Sequence, residues 1–181
     1  MRKLIKLGIA ILLSVTLLGG VSTTSAEFKP PFIHIPYQEL HTDIKKQIDC
    51  LADNIYFEAR AEPLVGQLAI AFVTLNRVQS GQFGATICKV VKQKFNGVCQ
   101  FSWWCNDTTR YQSVKRYYDW DIYDEVRKLA THVFLNYNEL HDITHGAMFF
   151  HSQHVSRHML GTTKIKQTTR IGRHIFYRTS P

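Results

Sequence analysis

The chain has 181 residues, of which 45% are hydrophobic and 20% are charged. This composition is typical of one globular domain with a hydrophobic core, and it excludes disordered and fibrous proteins. The formal net charge is +8, which favours anionic partners.

The first 26 residues differ from the rest of the chain. Three basic residues, Arg2, Lys3 and Lys6, lead into an apolar run, and small residues follow up to Ala26. This order is that of a secretory signal peptide, and we expect cleavage after Ala26. The alternative is a retained signal anchor, because the uncharged run 7–26 is long enough to span a membrane.

Export from the cytoplasm limits the classes of molecule that the mature chain could bind. Removal of the signal takes away three basic residues and no acidic one, so the mature chain stays basic. An exported basic chain suits cell-wall polymers or membrane surfaces, and export argues against nucleic acid. We expect contact with a membrane only through the N-terminal segment, if that segment is not cleaved.

The next part of the chain is predicted to be helical. Residues 27–38 contain three prolines and predict an extended lead-in to a domain spanning 39–181. Helical spacing predicts a first helix over about 39–60, with the apolar stripe Ile44, Ile48, Leu51 and Ile55. A second helix begins near Glu62-Pro63 and ends at SGQFG, with the apolar face Leu64, Leu68, Ala71, Phe72, Leu75 and Val78.

The second half of the chain changes from helix to strand. Thr86 is expected to cap a short helix over 87–93, and residues 95–118 are expected to be an aromatic loop. A further long helix is predicted over about 120–137. The runs AMFFHS, KIKQTT and HIFYRT are typical of β-strands, and RIGR separates the last two as in a hairpin. The sequence therefore predicts a single α+β domain, mostly helical, with a small C-terminal β-hairpin or sheet.

Four cysteines lie beyond the signal, at Cys50, Cys88, Cys99 and Cys105. An even number in an exported chain predicts disulfides, for which three pairings exist. Cys99 and Cys105 flank QFSWW and would close a short loop, which favours that bond and leaves Cys50–Cys88 as the second. A zinc site is the weaker alternative, because no C-x-x-C pair is present.

One acidic residue continues the apolar stripe of the first helix. A further step of three from Ile55 reaches Glu58, and a carboxylate on a core-facing position loses hydration, which raises its pKa towards that of a general acid. Glu62 is expected at the N-terminus of the second helix, where the helix dipole stabilises its charged form. The alternative is a structural ion pair between Glu58 and Arg60 or Arg77.

The stretch NIYFEARAEPLVGQLAIAFVTLNRV resembles the core motif of the SleB/CwlJ-type cell-wall hydrolase family, which includes the spore-cortex-lytic enzymes. The resemblance continues through CQFSWWC, GAMFFH and TTRIGRHIFYR, from about residue 50 to 178. It implies a lysozyme-like domain that cleaves the glycan strands of peptidoglycan, in at least some members as a lytic transglycosylase. The family's catalytic acid, the first glutamate of the motif, falls on Glu58. Two departures are Ala61 in place of a glycine and the absence of V-x-P-x-W at 155–159.

A lytic transglycosylase needs only one carboxylate, because the C6 hydroxyl of the muramic acid is a tethered nucleophile. A water-using muramidase needs a second carboxylate, for which the candidates are Glu62, Asp107, Asp119 and Asp121. A Cys–His endopeptidase would need a free thiolate, which paired cysteines do not leave. The remaining alternative is a wall-binding module without catalysis, which would have no use for Glu58.

The remaining site residues are candidates for sugar binding. Their aromatic members could stack on sugar rings, with core packing as the alternative. The predicted set is Tyr56, Glu62, Phe101, Ser102, Trp103 and His151. Although His151, His154 and His158 share a spacing, and His141 and His145 are four apart, no H-E-x-x-H occurs, so we expect no metal and no cofactor. We expect a monomer, located in the periplasm or outside the cell.

Overall fold

Three long helices form the main body of the protein. The structure is a computed structural model that describes residues 32–106, 119–155 and 164–180, so the predicted signal peptide lies outside the described residues. The helices are α1 (Thr42–Ala59), α2 (Leu64–Ser80) and α5 (Trp120–Asn136), and α1 packs against both of the others. No helix in the described ranges is both long and apolar enough to cross a membrane.

Local capping explains where these helices begin and end. A 3-10 turn at Tyr37–Glu39 precedes α1, so this helix starts three residues later than its apolar spacing predicts. Gly81 has φ +67° and ends α2 in the left-handed conformation that glycine adopts most easily. Asp119 caps α5 by accepting a hydrogen bond from the N–H of Ile122.

The stretch between α2 and α5 contains more structure than predicted. Helix α3 (Ile87–Val91) begins at the predicted cap Thr86, whose hydroxyl accepts from the N–H of Lys89. A hairpin of β1 (Lys94–Phe95) and β2 (Val98–Cys99) follows, and then α4 (Ser102–Cys105). The prediction of a loop over 95–118 is therefore wrong as far as Asn106, and 107–118 lies outside the described residues.

The predicted C-terminal β structure is confirmed as a three-stranded antiparallel sheet. Its strands are β3 (Phe149–Ser152), β4 (Ile165–Ile171) and β5 (His174–Thr179), in the order β3-β5-β4. Gly172 and Arg173 form the turn between β4 and β5, and Gly172 has φ +56°. Together with the helices, this sheet confirms the predicted α+β, mostly helical fold.

Two disulfides link neighbouring elements of the fold, and their pairing is the predicted one. Cys50–Cys88 joins α1 to α3, and Cys99–Cys105 joins β2 to α4. A buried hydrogen-bonded chain adds to this: the amide of Asn54 donates to Thr74 on α2 and accepts from the indole N–H of Trp103 on α4, at 3.0 and 3.1 Å. The CQFSWWC segment is thereby held against α1.

Candidate active site

Glu58 lies in the last turn of α1 and is partly buried. Burial raises the pKa of Glu58 to about 7, although the positive charge of Arg77 acts in the opposite direction. Among the described residues, no hydrogen bond or ion pair holds the Glu58 carboxyl group. It is a desolvated acid, which is the environment that its place on the apolar stripe predicts.

Arg77 is a buried cation that joins the elements around Glu58. Its side chain lies on α2, the residue is 5% exposed, and its Nε donates to the carbonyl of Met148 at 2.7 Å. The guanidinium lies over three phenylalanine rings, at 4.9, 4.9 and 5.8 Å from the centroids of Phe83, Phe101 and Phe149. Its Nη1 is buried and has no hydrogen-bond partner in the part of the chain that the structure describes. Burial lowers the pKa of Arg77 to about 10, which still leaves the group charged at neutral pH.

The alternative of a structural ion pair at Glu58 does not match this geometry. Within the described ranges, neither Arg60 nor Arg77 forms an ion pair with Glu58. The Arg60 guanidinium instead lies 5.1 Å from the centroid of the Tyr56 ring. Arg77 influences Glu58 through its charge, without a direct salt bridge.

Glu62 has a structural environment that differs from that of Glu58. Its side chain is only 3% exposed, and its carboxylate accepts from the Nε of Arg173 at 2.6 Å and from the backbone N–H of Arg173 at 3.0 Å. Burial alone would raise the pKa of Glu62, but these hydrogen bonds and the charge of Arg173 outweigh it and lower the pKa. The charged form is therefore favoured as predicted, but Arg173 is the cause, whereas the prediction named the helix dipole.

This contact joins the corner between α1 and α2 to the turn of the C-terminal hairpin. A Cβ atom at Gly172 would collide with the Glu62 carboxylate, so the glycine permits the close approach as well as the turn. Because both carboxylate oxygens are occupied within the protein, we leave Glu62 out of the sugar-binding set.

The aromatic candidates are mostly buried. Tyr56, Phe101 and Trp103 are 3%, 2% and 8% exposed and belong to the hydrophobic core. Trp103 stacks on Phe57 with ring centroids 4.5 Å apart, so it packs on the helix that carries Glu58. Phe101 and Trp103 therefore pack in the core, which was the alternative to sugar stacking. Ser102, between them in the sequence, is exposed.

His151 lies on β3, partly buried, and forms two hydrogen bonds. Its Nδ1 is 2.8 Å from the carbonyl of Ser152, so Nδ1 carries the hydrogen. In the neutral ring Nε2 then accepts from the hydroxyl of Tyr177, 2.9 Å away. His174, on the neighbouring strand, is buried, and burial lowers the pKa of its imidazole.

Among the described residues, the other candidate carboxylates and histidines do not form a cluster. Asp119 caps α5 and Asp121 is exposed, while Asp107 and His158 lie outside the described residues. The rings of His141 and His145 meet edge to face at 6.3 Å. In the described part of the chain, no three His, Cys, Asp or Glu side chains come together as a metal site would require.

The sequence did not lead us to predict that Arg77 is a buried cation that contacts several elements around Glu58. A signal for it was present, because Arg77 is the only charged residue of the 64–80 segment, which is otherwise largely apolar. A single arginine in such a helix indicates a buried cation with a specific partner. The role of Arg173 had no comparable signal, since its partner lies 111 residues away.

Comparisons with known proteins agree with this architecture. A family model described as Cell Wall Hydrolase matches residues 61–177. The spore cortex-lytic enzyme of Oceanobacillus iheyensis is 33% identical over 109 residues, which cover 57% of this chain and 38% of that protein. The spore cortex-lytic enzyme of Bacillus cereus is 36% identical over 78 residues, covering 40% of this chain and 28% of the relative. The chain thus spans less than half the length of these relatives.

Among solved structures, the crystal structure of the catalytic domain of the Bacillus cereus SleB protein is similar to this fold. The TM-score is 0.52 at 25% sequence identity, and the match covers 80% of this chain and 95% of that one. This similarity confirms the predicted lysozyme-like fold.

Proposed function

Because the chain belongs to the cell wall hydrolase family, we propose that it is an exported enzyme that cleaves the glycan strands of peptidoglycan, with Glu58 as its catalytic acid. The observation that carries this proposal is the pKa of Glu58, raised to about 7 by burial. An acid with that pKa is about half protonated at neutral pH and largely protonated below it, so it can transfer a proton to a leaving oxygen. The names of the spore cortex-lytic relatives support the choice of substrate.

The reaction is a lytic transglycosylation. Glu58 donates its proton to the glycosidic oxygen between MurNAc and GlcNAc as the bond from that oxygen to C1 of MurNAc breaks. The C6 hydroxyl of the same sugar then bonds to C1, and its proton passes to the Glu58 carboxylate. The products are a 1,6-anhydro-MurNAc end and a free GlcNAc hydroxyl, and Glu58 regains its starting form. Because the hydroxyl is tethered, no second carboxylate is needed to position water.

Arg77 contributes to this cycle through its charge. When Glu58 has lost its proton, a carboxylate stands in a poorly hydrated site, where an isolated charge is costly. The buried guanidinium of Arg77 stabilises that carboxylate while leaving the protonated form dominant at lower pH. A direct salt bridge, which Glu58 lacks among the described residues, would lower the pKa of Glu58 further and leave less of the protonated acid at neutral pH.

We propose that Ser102 contacts the substrate. Ser102 is exposed next to the core residue Trp103, whereas both ring nitrogens of His151, the other candidate, are hydrogen-bonded within the protein. The proposal includes export, which the predicted signal peptide and the two disulfides support, since disulfides persist in oxidising compartments. The enzyme then acts in the periplasm or in the cell wall outside the cell.

Two alternatives make different predictions. A water-using muramidase would need a second carboxylate, and Glu62 is a poor candidate for it because Arg173 occupies both of its oxygens. A wall-binding module without catalysis would bind peptidoglycan without releasing fragments. We regard both as less well supported by the geometry around Glu58.

Mass spectrometry of the soluble products from purified peptidoglycan tests the proposal. We expect anhydro-muropeptides from the wild-type protein, none from Glu58→Gln, and unchanged products from Glu139→Gln, which alters an exposed glutamate as a control. Reducing-end products would instead establish hydrolysis. Binding without any fragments, or full activity in Glu58→Gln, would refute the catalytic role of Glu58.

A further inference from the structure

The hairpin of β1 and β2 carries two exposed apolar side chains at its tip. Phe95 and Val98 are each 68% exposed, the highest values among the large hydrophobic residues that the structure describes. They stand directly opposite each other in the hairpin. Asn96 and Gly97 join them with φ +49° and +80°, the two positive values that a tight type I′ turn requires.

This hairpin is firmly attached at its base. The disulfide Cys99–Cys105 ties β2 to α4, and the N–H of Gln100 donates to the carbonyl of Gln93 at 3.0 Å. Because neighbouring side chains of a strand point to opposite faces, Cys99 turns towards the body of the protein and Val98 turns away from it. Phe95 shares the face of Val98, so neither side chain can reach the core.

The surroundings of the tip are basic. Lys89, Lys92 and Lys94 are exposed and lie within six residues of Phe95. Between residues 63 and 106 the sequence contains no Asp or Glu. An exposed apolar tip with lysines nearby in the sequence combines two contributions to binding an anionic bilayer. These are the burial of apolar surface and the attraction of positive charge to the headgroups.

We infer that the tip formed by Phe95 and Val98 inserts into the surface of a membrane that contains anionic phospholipid, to which the positive charge of the three nearby lysines attracts it. A protein partner fits less well, since a convex tip of two residues offers far less than the roughly 800 Å² per partner of a stable interface. A glycan chain also fits less well, because stacking uses a flat ring in a groove with polar neighbours. The attachment is independent of Glu58 and adds a second binding surface to the proposed enzyme.

Fluorescence quenching at the tip tests this inference in the full-length chain. A Phe95→Trp variant is mixed with vesicles of phosphatidylglycerol brominated in its acyl chains, and the wild-type signal is subtracted. Val65→Trp is the matched control, because Val65 is also an exposed apolar residue, 48% exposed, but lies outside the hairpin. The predicted N-terminal apolar segment would tether both variants alike, so a difference between them reports the tip itself.

We expect quenching of Phe95→Trp and not of Val65→Trp, with salt and pure phosphatidylcholine vesicles both weakening it. Changing all three lysines to Gln in the Phe95→Trp chain should weaken binding about a hundredfold, since each lysine near an anionic surface contributes about fivefold. Adding Glu58→Gln should leave the quenching unchanged, so that loss of catalysis and loss of membrane binding are distinguishable. Absence of quenching, equal quenching in both variants, or a spectral shift with peptidoglycan fragments alone would overturn the inference.

Discussion

The raised pKa of Glu58 predicts an unusual pH dependence of stability, because this acid binds its proton more tightly in the folded state than in the unfolded chain. The folded pKa is about 7, against an ordinary value of 4.5. Between these two values the folded state holds more protons, so the contribution of Glu58 to stability is lost as the pH rises. The penalty is complete above the folded pKa and absent below the unfolded pKa.

The size of the effect follows from the difference between the two pKa values. A difference of about 2.5 units corresponds to about 3 kcal/mol, at roughly 1.4 kcal/mol per unit. Glu58→Gln removes the titrating group but keeps a side chain of similar shape. Relative to the wild type, the variant should therefore gain about 3 kcal/mol in free energy of unfolding between roughly pH 4 and pH 8.

Urea denaturation with the disulfides intact measures this difference, provided that the slope with denaturant stays the same for both proteins. Glu139→Gln serves as the control, because Glu139 is exposed and should give parallel curves. If the gap between Glu58→Gln and the wild type stays constant over this pH range, Glu58 is not desolvated and the argument for its role as an acid fails.

Two further predictions concern Arg77 and Arg173. Arg77→Met removes the charge that lowers the Glu58 pKa, so the alkaline limb of the pH–activity profile should move to higher pH. Arg77→Lys keeps the charge and should leave that limb near its wild-type position. If Arg77→Met loses activity but its pH profile does not move, Arg77 acts only through packing. Arg173→Met leaves the buried Glu62 carboxylate without its cation and should cost about 3 kcal/mol in urea denaturation. Glu62→Gln should cost less, because Arg173 is 53% exposed and can return to water; equal costs would contradict the assigned asymmetry.

Local signals were sufficient to predict much of the fold. The apolar spacing of α2 and α5 predicted both helices to within a few residues, and the RIGR turn marked the C-terminal hairpin. The hairpin of β1 and β2 was missed because strands of two residues are too short to show alternation, although Asn96-Gly97 is a strong turn signal. Leu64, assigned to the apolar face of α2, is 66% exposed, because it lies at the first turn of the helix.

The site was harder to predict than the fold, because its residues meet through contacts distant in sequence. The position of Glu58 could be read from one helix, since a single stripe determines which face it occupies. The sequence could not show whether Trp103 packs in the core or binds a sugar, because its hydrogen-bond partner Asn54 lies 49 residues earlier on another helix. The same applies to Glu62, whose charged form is stabilised by Arg173, 111 residues later in the sequence.

The contact between Glu62 and Arg173 also has a consequence for the order in which the protein is completed. Arg173 is synthesised after α1, α2 and α5. Until then, the corner that follows Glu58 holds a carboxylate that has no cation to receive it, and burying it would be unfavourable. We therefore expect the corner between α1 and α2 to bury the Glu62 carboxylate only after the hairpin of β4 and β5 has formed. A prematurely terminated chain without Arg173 should leave the Glu62 carboxylate in water, even though all three long helices have been made.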